Sequence, residues 1–108
     1  IRRTLTWVGV GNVGGTLVSA DPRAAPRVRE LFTYGGVVGD RLPPLGATLL
    51  PTADGDTLIL STDGVGDFRK GLLPAASQPG ELAGRILQRF AKHTDDAAVL
   101  VACLGSDR

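Results

Sequence analysis

Leu58-Ile59-Leu60-Ser61-Thr62-Asp63-Gly64 is an apolar run that stops at an Asp-Gly corner. A run this continuously apolar predicts a strand covered on both faces. Further along, Thr94-Asp95-Asp96 leads straight into a second such run, Ala97-Ala98-Val99-Leu100-Val101-Ala102. Asp-Gly is ordinary turn chemistry. Two acidic corners at the ends of core strands are a different matter, because carboxylates there are costly to keep unless a cation sits between them. Asp63 and Asp95 are therefore candidates to converge on a positive partner, with two solvated turns as the other reading.

Upstream of this pair, Thr48-Leu49-Leu50-Pro51 is a short strand and Asp54-Gly55-Asp56 a tight, solvated turn. Leu5–Val10 and Thr16–Ser19 are strand-like, and Gly11-Asn12 and Gly14-Gly15 between them are hairpin chemistry. Residues 21–29 form a proline-marked connection, residues 30–34 a further strand, and residues 41–46 are too rich in proline for a central strand. Strands are thus expected near 5–10, 15–20, 30–34, 57–62 and 97–104.

A single helix is expected over about 79–92. Leu82, Ile86 and Phe90 repeat at helical spacing, Ala83 and Leu87 widen the stripe, and Glu81, Arg85, Arg89 and Lys92 fall on the wet side. Ser77 is the expected N-cap. Packing of Leu82, Ile86 and Phe90 onto the sheet face bearing the last strand would make Phe90→Ala cost about 3–5 kcal/mol. One helix cannot cover two strands on both faces, so other layers, or association, are needed.

With 108 residues the chain makes at most one small domain. Its 43% hydrophobic and 21% charged residues fit a folded globular protein. No apolar run nears the ~20 residues of a membrane span, and the first residues lack a signal-peptide layout. A net charge of +1 gives no global reason to expect nucleic acid or an acidic membrane as partner. The local balance is more telling: Asp54, Asp56, Asp63 and Asp67 lie in a stretch with no base. Cys103, the single cysteine, excludes an internal disulfide and is read as a buried, inert thiol in a reducing, cytoplasmic setting.

For other candidates the structural reading is preferred. Asp67 is read as a loop acid beside the corner, and Asp54 and Asp56 as turn residues. His93 stands just past the helix end, where a C-terminal interaction outweighs general-acid work. Trp7 is a cross-strand packing residue. The glycines at 9, 11, 14 and 15 are followed by strand, not helix, so a phosphate-loop reading fails on context.

The stretches Leu45-Gly46, Asp54 to Val65 and Thr94 to Val101 closely resemble the C-terminal half of bacterial SpoIIE-type serine phosphatases. These belong to the metal-dependent, type 2C-like protein phosphatases. Thr6 to Val13 and Gly36 to Leu45 look more specifically like the RsbX-like branch, which acts on phosphoserine in regulators of the general stress response. The resemblance runs from about Thr4 to Leu104. It implies an α+β fold, the αββα sandwich of antiparallel sheets, with residues 1–108 as its C-terminal portion. It also implies Asp63 and Asp95 as metal ligands, Gly64 as the residue permitting close approach, Asp96 in support, and two Mn²⁺ or Mg²⁺ ions in the complete domain. The family's earlier acidic strand residue and bridging Asp-Gly lie upstream of the position matching Ile1. The resemblance therefore predicts an incomplete site and an uncovered sheet face or edge, and with it a homodimer, an exchanged element or poor solubility.

Three functions compete. The first is hydrolysis of phosphoserine or phosphothreonine on a phosphorylated regulatory protein, in a stress-response or sigma-factor partner-switching pathway, by an ion-activated water. The second is a catalytically incomplete phosphatase fragment that binds phosphoprotein or regulates without turnover. The third is a structural piece whose acids only solvate loops.

Overall fold

The computed structural model describes residues 2–35, 44–68, 78–93 and 96–105. Within them the chain is a small α+β domain of mostly antiparallel strands and one helix: β1 (Arg2–Trp7), β2 (Gly9–Val10), β3 (Val13–Val18), β4 (Val28–Leu31), β5 (Thr33–Tyr34), β6 (Thr48–Ala53), β7 (Thr57–Thr62), α1 (Pro79–Phe90) and β8 (Val99–Cys103).

The main sheet has the order β4-β3-β7-β8, antiparallel throughout. β1 and β6 form a second antiparallel pair, with Leu5 opposite Leu50 and Trp7 opposite Thr48. Both strands alternate: Leu5 and Trp7, and Leu50 and Thr52, turn inward while Thr4, Thr6, Leu49 and Pro51 face out. Pro51 lies in a strand whose one described partner is β1, the position where a missing N–H costs a sheet least. β2 and β5 make a two-residue parallel contact.

The period-two alternation of β3 and β7 divides the core. Val18 and Ile59 face α1, joining Leu82, Ile86, Val65 and Phe68 in one buried cluster. Leu17, with the half-buried Leu58 and Leu60, faces the β1–β6 pair and joins Trp7 and Leu31 in a second. The layers are therefore α1, the four-stranded sheet and the two-stranded sheet, and β7 is covered on both faces as its composition predicts.

β8 is not. Val99 and Val101 pack against the α1-side cluster, but Leu100 is 57% exposed, because the two-stranded layer faces β3 and β7 without reaching it. Cys103 is likewise exposed and free, correcting the expectation of a buried thiol. It lies at the end of an edge strand, beyond the side chains that pack on α1.

Two further expectations are corrected. Gly14 and Gly15 are not a hairpin turn but part of β3, and β1 pairs with β6 in place of β3. The ring of Trp7 occupies the space a Cβ on Gly15 would need, 2.9 Å away, so that glycine serves packing. The Asp54-Gly55-Asp56 turn, with Gly55 at φ +92°, crosses from one sheet to the other. Its Asp56 is buried, not solvated, accepting hydrogen bonds from the Ala20 and Ala53 amides at 2.9 and 3.0 Å.

α1 begins at Pro79, well suited to a first helical position, with Glu81 in the first turn and Arg89 in the last. Gln78 occupies the N-cap without a side-chain bond, and Ser77 lies outside the described residues. Leu82 and Ile86 are fully buried, and Phe90 is half-buried against the same cluster, edge-on to Phe68. The predicted phase of the helix holds.

Candidate functional site

The end of α1 and the end of β7 meet. Ala91 leaves the helix for an extended conformation and bridges to Val65. The Gly66 amide donates to the Phe90 carbonyl at 2.7 Å, and the Lys92 amide to the Gly64 carbonyl at 2.9 Å. His93 follows at φ +63°, in the left-handed region.

Asp63 and Gly64 form the turn after β7, closed by the Val65 amide donating to the Thr62 carbonyl at 3.1 Å. The Asp63 amide donates to the Asn12 carbonyl at 3.1 Å, which ties the corner to the loop before β3. The Asp63 side chain is exposed. Gly64 is buried against the second acidic segment, where a Cβ would stand 2.1 Å from the Asp96 carbonyl oxygen. The space that a Gly64 side chain would need is filled by the Asp96 backbone. Thr62 completes the join: its amide donates to the Ala98 carbonyl at 3.1 Å, and its hydroxyl accepts from the Ala98 amide at 3.0 Å.

The structure thus brings Gly64, next to Asp63, against the backbone of Asp96. Asp96 is exposed, and Asp95 lies outside the described residues. Among the described residues no group of three or more His, Cys, Asp or Glu side chains gathers to hold an ion.

A groove of about 680 Å³ opens beside the corner, lined in part by Asn12, Glu30, Thr33, Thr62 and Asp63. Its walls include Phe32, 61% exposed and edge-on to Tyr34. A smaller adjoining groove of about 220 Å³ reaches Asp67, which is exposed. The donors along the larger groove are hard oxygens of carboxylate, amide and hydroxyl groups, with no sulfur or imidazole among the described lining residues. That donor set suits Mg²⁺ or Mn²⁺ and not a soft or imidazole-preferring ion.

Sequence reading missed Asn12 and Thr62. Asn12 acts through its carbonyl, which no side-chain pattern reveals. Thr62 does carry a signal: a hydroxyl closing an apolar strand immediately before a turn. Comparison with family models, with curated proteins and with solved structures finds no match.

Proposed function

We propose that this chain supplies the Asp63 and Asp95 side of a Mn²⁺- or Mg²⁺-dependent site that hydrolyses phosphoserine or phosphothreonine on a regulatory protein, in the manner of the SpoIIE-type, RsbX-like phosphatases it resembles. The observation that supports this most is the seating of the Asp63-Gly64 corner on the Asp96 backbone. The corner and Asp96, far apart in sequence, meet through backbone packing.

In this reading Asp63 and Asp95 hold the ion, Asp96 supports them, and Gly64 allows the two segments to touch. A bound ion of this kind lowers the pKa of a coordinated water and offsets phosphoryl charge. The chain's own contribution is rigidity: Asp63 projects from a turn fixed on three sides, by Asn12, by Ala98 and by the end of α1. Preset donors lose little freedom when they bind. The groove beside Asp63 would receive the phosphorylated segment. The phosphatase sandwich and cytoplasmic action on a stress-response regulator belong to the same proposal.

The test compares wild type with Asp63→Asn in the encoded protein, measuring phosphate release from a phosphoserine protein with and without Mn²⁺. The nearly isosteric change removes charge and should abolish Mn²⁺-dependent turnover while leaving the fold intact. Undiminished turnover in the variant would remove Asp63 from the site.

A further inference from the structure

The antiparallel ladder between β7 and β8 runs from Thr57 opposite Cys103 to Ser61 opposite Val99. The next pair, Thr62 and Ala98, would ordinarily exchange two backbone hydrogen bonds. One is made, from the Thr62 amide to the Ala98 carbonyl. The other is not made to the Thr62 carbonyl, which accepts from the Val65 amide to close the Asp63-Gly64 turn. The Ala98 amide donates to the Thr62 hydroxyl instead. One side chain thus lets β7 turn sharply at Asp63 and still stay paired with the chain entering β8.

Resting on the phosphatase reading above, we propose that Thr62 is a positioning residue of the ion site. Its hydroxyl staples Ala98 to the end of β7 and so sets the distance between the Asp63 corner and the segment that begins at Asp96. Residues 96–98 precede β8 and have no strand partner of their own among the described residues. The contacts that hold them on the corner include the Thr62 bonds, the packing of Gly64 on Asp96, and the packing of Ala97 on the α1-side cluster. A hydroxyl at position 62 is required. Valine has nearly the same shape but offers the Ala98 amide no acceptor, whereas serine keeps it. The Ala98 amide is near solvent, so the valine variant can hydrate it and keep its fold.

The experiment uses the 108-residue chain, ¹⁵N-labelled, with Mn²⁺ alone as probe and no turnover. Two quantities are read: hydrogen exchange at the Ala98 amide, and the Mn²⁺ concentration that half-broadens the amide signals of Asp63, Gly64 and Asp96. Thr62→Val should keep the wild-type circular dichroism, speed Ala98 exchange, and raise the half-broadening concentration about tenfold, the usual scale for losing a group that orients a ligand. Thr62→Ser should restore both. Unchanged Ala98 exchange in Thr62→Val overturns the staple, and unchanged Mn²⁺ broadening, or failure of Thr62→Ser to restore it, overturns the positioning role. Asp63→Asn separates the two layers of inference. If broadening persists in that variant, the ion is not held at Asp63, and the phosphatase reading falls together with the role given to Thr62. If it vanishes there but is untouched in Thr62→Val, only the positioning role falls.

Discussion

Gly64 has no room for a side chain. A methyl group there meets the Asp96 carbonyl, which is backbone and cannot rotate away. Gly64→Ala should therefore push the Asp63 corner off the second acidic segment. The expected cost is about 1–3 kcal/mol of stability, as for other overpacked sites. Thermal unfolding and Mn²⁺ broadening should both report it, and a variant unchanged in both would contradict the contact. Asp56 works by the opposite logic, its buried carboxylate accepting two amides from different segments. Asp56→Ala should cost about 3 kcal/mol, since charged hydrogen bonds are worth more than neutral ones and two donors lose their acceptor. Urea unfolding would measure it, and a loss below about 1 kcal/mol would mean that water replaces the carboxylate. These two residues also mark what sequence could tell. The Asp63-Gly64 corner was legible because an apolar strand ended there abruptly. Which of Asp54 and Asp56 turned inward was not, because the choice is made by the Ala20 amide, distant along the chain.

At the level of elements, α1 was legible because its apolar positions repeat at helical spacing and nothing else competes with that period. Its stability pattern follows from burial. Ile86 is fully buried and should cost about 3–4 kcal/mol on truncation to Ala. Phe90 is half-buried, so Phe90→Ala should cost about 2 kcal/mol, below the range for a core aromatic. Denaturant titration of the two variants checks the order, and a larger loss at Phe90 would mean that its ring is less exposed than this packing gives. Strand pairing was far less legible. The glycines at 11, 14 and 15 suggested a hairpin after β1, yet β1 pairs with β6, distant in sequence. Local chemistry signals where a chain can turn, while the partner of a strand depends on which apolar faces meet across the core. The uncharged run of β8 likewise suggested burial on both faces, but whether a second layer reaches an edge strand is settled by the width of the opposite sheet.

Across the whole molecule the apolar surface is uneven. Phe32, Leu49 and Leu100 are each more than half exposed, and Leu100 stands on the edge strand of the main sheet. That strand, Val99-Leu100-Val101-Ala102-Cys103, carries no charge or proline, the usual guards against pairing with another chain. Concentration-dependent association is therefore expected in sedimentation, and Leu100→Lys should shift it towards monomer without lowering stability. A wild-type chain that stays monomeric at high concentration would show that the edge is guarded in some other way. Trp7, meanwhile, has a use beyond packing. It is the single tryptophan of the chain, its ring seated against Gly9 and Gly15 where the two-stranded layer meets the main sheet, and its indole N–H donates to the Phe32 carbonyl. The molecule therefore carries one native fluorophore at the seam between its sheets, while its helix lies on the opposite face. Emission follows the parting of the sheets and far-ultraviolet ellipticity follows the helix, so coincident melting curves in the two signals would mean that both layers come apart in a single cooperative step.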